Sequence, residues 1–233
     1  MRLSGTRGNK VKYLELLKDG LVELGFEADL IPDLCNKMDS YTKELMLFNA
    51  AYDLVGATNE EDIVIRHILD SLSGVSSIKE IIKELPETDQ PIKIGDIGSG
   101  GGLPGIPLAS ALPEINFTLV ERMSKRCAFL DNCKAILGLK NVTVENMQAE
   151  QFPAEQLDIA VFRAFRPLDK KMIKTLLRLI KPNGFLVAYK AKTESITEEM
   201  DAIKSFVPVY KTKPLTVPFL QNHERHLVII PKN

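Results

Sequence analysis

"DIGSGGGLPGIP", residues 96–107, sets five glycines and two prolines into twelve positions directly behind an apolar run. Glycine within regular structure costs about 0.5–1 kcal/mol relative to alanine, so this density marks a turn that side chains would obstruct. The residues just before it, "IKIGD", read as a strand. A helix is expected from about Pro104, because proline suits a first helical turn. Parallel α/β sheets bind nucleotides at such glycine-rich strand-to-helix turns. The missing Cβ atoms admit a ligand to the backbone, and the helix start offers unpaired N–H groups.

The alternation continues outward from this turn. "INFTLVE", "VTVEN", "LDIAVFRA" and "GFLVAYK" read as strands, and "SKRCAFLDNCKAILG" and "LDKKMIKTLLRLI" as helices. Strands alternating with helices of this length give βαβ units and a parallel sheet. "VPVYKTKPLT" and "ERHLVIIPKN" look like two strands joined by a short loop with no helix, so antiparallel pairing is expected. Upstream of the proline-bounded linker "LPETDQP" (85–91) the period changes to that of helices. Val11, Leu14, Leu17, Leu21 and Leu24 form one stripe, and Leu34, Met38, Tyr41, Leu45 and Phe48 another. "NEEDIVIRHILDSLSG" adds a helix with an acidic start and Gly74 as its stop. The expected fold is α/β: a seven-stranded Rossmann-like sheet over 89–233 and a helical extension over 1–88, packed as one compact unit.

Three nucleotide classes compete for the turn. A P-loop needs Gly-Lys-Ser/Thr after its glycines, and this chain has Leu-Pro-Gly, which excludes it. Gly100, Gly102 and Gly105 do satisfy the Gly-x-Gly-x-x-Gly spacing of dinucleotide sites. Asp96, two residues before the first glycine, favours S-adenosylmethionine. A carboxylate there can face that ligand's ammonium group but would repel a pyrophosphate. The antiparallel end of the chain likewise suits a methyltransferase sheet. Glu121 ends the second strand, where both nucleotide classes place an acid for the ribose hydroxyls. After the third strand comes "MQAEQF", in which Ala149 is small enough to pass a ring. Glu150 is left between accepting a hydrogen bond from an adenine amino group and facing water.

"DIGSGGGLPGIPLA", "VERMSKRCAFL", "AE" after the third strand, "FRAFRPL", "YKAK" and "ERHLVII" follow one another in order. Together with "FNAAYDLVGATNEEDIVIRHILDSL", over roughly residues 40–230, they resemble the bacterial 16S ribosomal RNA guanine-N7 methyltransferases (RsmG, once called glucose-inhibited division protein B). The resemblance implies S-adenosylmethionine-dependent methyl transfer to N7 of a specific guanine in small-subunit rRNA. It places Gly98, Gly100 and Leu103 at the methionine end of the cofactor, Glu121 at the ribose, and Ala149 and Glu150 at the adenine. It also implies a cofactor-site role for Arg163, beside the target pocket. Two departures lie on the substrate side. Asp53-Leu54-Val55 stands where the family usually has Asn-Leu-Thr, and "YKAK" replaces a common Lys-Gly. The residues alone leave open a methyltransferase acting on a protein or small molecule, and a ribosome-binding relic without activity.

Guanine N7 loses no proton on methylation, so no catalytic acid, base or nucleophile is expected. His67, His223 and His226 are scattered and match no metal-binding spacing, so no metal is expected. Cys35, Cys127 and Cys133 form an odd set without a CxxC pair, as in reduced cytoplasmic proteins. No secretory signal and no bilayer-length apolar run is found, so no membrane partner is expected. The expected partner is 16S rRNA or the small ribosomal subunit, met by a monomer. Thirty Lys+Arg against 31 Asp+Glu leave a net charge of −1, so RNA contact must come from charge distribution. Nine basic residues face one acid, Asp169, between Arg163 and Lys192. Arg163, Arg166, Lys190 and Lys192 are expected to form a basic rim at the sheet's reactive edge.

Overall fold

The computed structural model describes residues 5–163 and 168–232, with side chains from residue 12 onward. Two long helices open the chain, α1 (Gly5–Glu23) and α2 (Ile31–Tyr52). Their stripes are buried as the spacing requires: Leu17, Leu21, Met38, Tyr41 and Leu45 are inaccessible to solvent. Asp53 ends α2 in the left-handed region, with φ 49°. Asn59 caps the next segment, its side chain accepting from the Asp62 N–H. That segment runs from α3 (Glu60–Ile63) through a π-helical turn (Val64–Leu69) into α4 (Asp70–Leu72). Gly74 interrupts the run before α5 (Val75–Glu84). A Cβ at Gly74 would lie 2.1 Å from the Tyr189 hydroxyl, so the stop also lets the sheet approach.

The sheet has the order β3-β2-β1-β4-β5-β7-β6. Its strands are β1 (Lys93–Ile97), β2 (Asn116–Glu121), β3 (Val142–Asn146), β4 (Leu157–Arg163), β5 (Ile180–Lys190), β6 (Lys211–Pro214) and β7 (His226–Pro231). The first five pair in parallel, and β7 lies antiparallel to both β5 and β6. The expected antiparallel pair is therefore present. Between β1 and β4 the strand order reverses, and the crevice at such a switch point is where open α/β sheets take ligands.

Helices α6 (Gly105–Ala111) and α7 (Ser124–Leu137) join the amino-terminal helices on one face, and α8 (Lys170–Leu179) and α9 (Thr193–Ile203) cover the other. Period-two alternation divides β4 between them: Ile159 and Val161 point to the first core, Ala160 and Phe162 to the second. The first core runs without a break from Leu21 and Leu45 to Ile106, Leu119 and Phe129. Helix α9 lies in a stretch that sequence reading leaves unassigned. Its buried Ile196, Met200 and Ile203 are the signal that was available.

Candidate active site

Gly98, Gly100 and Gly102 all have positive φ, from 57° to 89°, and the Leu103–Pro104 peptide is cis. Gly105 has a different task. A Cβ there would stand 2.4 Å from Leu119 and 2.6 Å from the Asp96 carboxylate, so glycine lets α6 sit directly on the strands. Its N–H donates to Asp96 Oδ2 at 2.9 Å. The helix start therefore does not offer that N–H to an anion, contrary to the sequence expectation. Asp96 captures it from inside. The other oxygen, Asp96 Oδ1, is buried with no partner, and burial pushes this carboxyl up to about 7.

Glu121, at the end of β2, ties the turn to the sheet. Its Oε2 accepts the Gly100 N–H at 3.0 Å, and its Oε1 accepts the Met123 N–H at 2.8 Å. Each carboxylate oxygen has a second lone pair, so both can also accept from a ribose hydroxyl. Beside this acid opens a cavity of about 430 Å³ bounded by Gly98, Glu121, Arg126, Ala149, Glu150 and Met172. Ala149 is buried and Glu150 exposed. Arg178 Nη2 donates to the carbonyls of Ala149, Glu150 and Phe152, at 3.2, 3.1 and 2.7 Å, and so pins their turn. Sequence reading counts Arg178 only among the nine basic residues between Arg163 and Lys192.

The structure thus brings Gly98, Glu121, Ala149 and Glu150 to one cavity, with Gly100 bonded to Glu121. It places Leu103 in the core beneath the turn and not on the cavity wall. Arg163 points into a second cavity, of about 380 Å³, at the carboxyl ends of β4 and β5. There its guanidinium donates to Asp70 Oδ2 at 2.9 Å and to His67 Nδ1 at 3.0 Å. Arg225 holds the other Asp70 oxygen at 3.2 Å. Burial and the Arg163 charge push His67 down to about 4, so the ring is neutral near pH 7. With Nδ1 accepting, the proton sits on Nε2, which is buried without a partner.

The expected basic rim is partly neutralised by these pairings. Arg163 is spent on Asp70, and Lys190 pairs with Glu199 at 2.6 Å. Lys192 is exposed, and Arg166 lies outside the described residues. A cavity of about 500 Å³ lies at the opposite, amino-terminal edge of β1 and β2, near Lys93, Asn116 and Lys140. None of the buried unpartnered atoms lines it.

A glycine-rich turn, an acid at the end of β2 and an unpartnered buried carboxylate oxygen fit a nucleoside with an amino-acid tail. The family described as GidB, rRNA small subunit methyltransferase G, matches residues 34–228. The chain belongs to this family. Ribosomal RNA small subunit methyltransferase G of Treponema denticola is 39% identical over 239 residues, covering 93% of this chain and 94% of that protein. The Polynucleobacter asymbioticus protein of the same name is 33% identical over 92% of this chain and 96% of its own. Among solved structures, a SAM-dependent methyltransferase from Aquifex aeolicus aligns with TM-score 0.51 and 14% identity, over 72% of this chain and 92% of that one. The cyclase SpnF aligns with TM-score 0.53 and 14% identity, over 86% and 93%. At such identities the structural matches show the fold alone, an S-adenosylmethionine-dependent methyltransferase sheet. SpnF shows why the chemistry has to be argued from the site.

Proposed function

We propose that this protein transfers the methyl group of S-adenosylmethionine to N7 of a guanine in small-subunit (16S) ribosomal RNA, in the cytoplasm. One observation carries the reading: in a chain of this family, the cavity at the sheet's switch point is walled by the glycine turn, Glu121 and the Ala149–Glu150 turn. Among the described residues no helix is long and apolar enough to cross a membrane. In this reading Gly98, Gly100 and Asp96 receive the amino-acid end, with Leu103 supporting the turn from the core. Glu121 receives the ribose, and Ala149 and Glu150 flank the adenine.

The bound cofactor supplies a sulfonium methyl group, an electrophile that needs no activation. N7 offers a lone pair and carries no proton, so the chain has to orient the acceptor and not deprotonate it. The second cavity, reached across the ends of β4 and β5, is the acceptor's side, and Arg163 positions its wall through Asp70 and His67. Its arginines are paired with Asp62 and Asp70, so exposed Lys192 nearby is the cation this side offers to an RNA phosphate backbone. Residues 1–88 and 89–233 act as one unit in this reading, because a single buried core spans both. The deciding experiment is mass mapping of modified nucleosides in small-subunit rRNA from cells with and without the gene. One 7-methylguanosine should disappear, and an unchanged map would reject the reading. Calorimetry should also show S-adenosylmethionine binding at about micromolar concentrations and no binding of NAD.

Cofactor affinity should depend on pH through Asp96. Its protonated form cannot pair with the ligand's ammonium group, and its carboxyl titrates at about 7 in the free protein. Binding expels that proton, so affinity is full above about pH 7. It falls by up to about tenfold for each unit below that value. Asp96→Asn, which can still accept the Gly105 N–H, should give a flat profile over the same window. A slope that survives in the asparagine variant would assign the titration to another group.

A further inference from the structure

Among the described residues, three buried side-chain polar atoms lack a partner: His67 Nε2, Asp96 Oδ1 and Arg126 Nε. Native structures leave few such atoms, and each asks for an explanation. The last two carry opposite charges and flank the same turn. Asp96 stands beneath it, and a Cβ at Gly100 would lie 3.9 Å from Arg126 Nη1. Arg126 also lines the 430 Å³ cavity with Gly98 and Glu121.

Arg126 is held in place by the helical extension. Its Nη2 donates to the Asp53 carbonyl at 2.7 Å, across 73 residues of sequence. Asp53 is set by the loop that leaves α2, and Asn49 clamps that loop. The Asn49 Oδ1 accepts the N–H groups of Leu54 and Val55, and its Nδ2 donates to the carbonyls of Val55 and Ala57. The same loop backs the glycine turn directly. Leu54 approaches to 3.3 Å of the place a Cβ on Gly101 would take, and the Tyr41 hydroxyl donates to the Gly101 carbonyl.

An amino-acid tail presents an ammonium and a carboxylate on one carbon, so its receptor needs an anion and a cation a few ångströms apart. Asp96 is the anion. Among the described residues three cations border the cavity, Arg122, Arg126 and Lys171. Arg122 and Lys171 are exposed, whereas Arg126 is half-buried and fixed by a backbone carbonyl. The geometry points to Arg126 as the residue that binds the carboxylate of the cofactor's amino-acid tail, oriented for that purpose by the loop after α2. This rests on the S-adenosylmethionine reading above. It makes the helical extension part of the cofactor site as well as a cover for the sheet.

Calorimetry on the intact chain tests the assignment with two probes, S-adenosylmethionine and its decarboxylated form, which keeps the sulfonium and the amine. The wild type should prefer the full cofactor. Arg126→Gln should weaken S-adenosylmethionine by about 10- to 100-fold, the range for a charged hydrogen bond. The same variant should leave the decarboxylated probe within about twofold, and Arg126→Lys should regain part of the preference. The ratio of the two affinities, taken on one preparation, does not depend on the fraction of protein that is folded. Equal losses for both probes, or none for either, would overturn the assignment while leaving the cofactor reading intact. A wild type that binds neither probe would overturn both.

Discussion

Gly100→Val should lower affinity for S-adenosylmethionine by at least about 100-fold in a protein that still folds, and Gly105→Ala should act chiefly on the melting temperature. The two glycines stand five positions apart in one turn, yet they are glycine for different reasons. At Gly100 the space is open, since an added Cβ would meet nothing closer than 3.9 Å. The constraint is the backbone, at φ 57°, where a β-branched residue is strained by about 1–3 kcal/mol. Relief comes by turning the peptide, which pulls the Gly100 N–H from Glu121 and reshapes the wall the ligand needs. A hundredfold loss corresponds to about 2.7 kcal/mol, within what that strain and one charged hydrogen bond supply.

Gly105 meets the opposite situation. Even a methyl group would press on Leu119 and on Asp96, both in the sheet and nearly inaccessible to solvent. Overpacking of this kind costs about 1–3 kcal/mol. Lifting α6 to relieve it strips the Asp96 carboxylate of the Gly105 N–H, which costs about 1–3 kcal/mol more. Thermal denaturation and calorimetry on the two variants separate these effects. Normal binding by Gly100→Val, or a wild-type melting curve for Gly105→Ala, would refute the division of labour.

Asp70→Ala should destabilise the protein by about 3–5 kcal/mol and abolish methyl transfer. Asp70 is 4% exposed, and its two oxygens hold Arg163 and Arg225 at 2.9 and 3.2 Å. Deleting one member of a buried ion cluster leaves the others uncompensated, and here two guanidinium groups would remain without their shared anion. Against a typical total stability of about 5–15 kcal/mol, that loss moves a urea midpoint far enough to be unmistakable. Arg163 would also lose its place at the end of β4, on the acceptor side. A loss below about 1 kcal/mol would mean that water already screens the cluster.

These residues also show what could be read in advance. The strands, the parallel sheet and the helical stripes follow from local periodicity, which is why Ile159 and Val161 separate cleanly from Ala160 and Phe162. The relation of Gly100 to Glu121 was legible because a strand-helix-strand unit has a nearly fixed length. Choice of partner was not legible. Arg178, Arg126 and Arg163 are alike in sequence as long cations near the ends or on the faces of their elements, with no partner in view. What distinguishes them is a set of carbonyls and a carboxylate 26 to 97 residues away. The Gly105 N–H, one of the helix-start donors that the sequence leaves open to a ligand, is a related case. Its capture by Asp96 depends on a side-chain rotamer inside the sheet, which no spacing reveals. Helix α9 is not legible in the sequence because polar residues dominate its first turns and only three buried positions carry its period.

The strand order has a consequence for how the chain matures during synthesis. Strand β7 separates β5 from β6, although β6 is made first. Until residues 226–231 leave the ribosome, the outer edge of β5 has no partner and β6 has nothing to join. Leu186, Val187 and Ala188, inaccessible in the finished protein, sit along that waiting edge. An unpaired apolar strand edge is a template for pairing with other chains. Release from this hazard comes in one late step, when β7 docks and closes both gaps together.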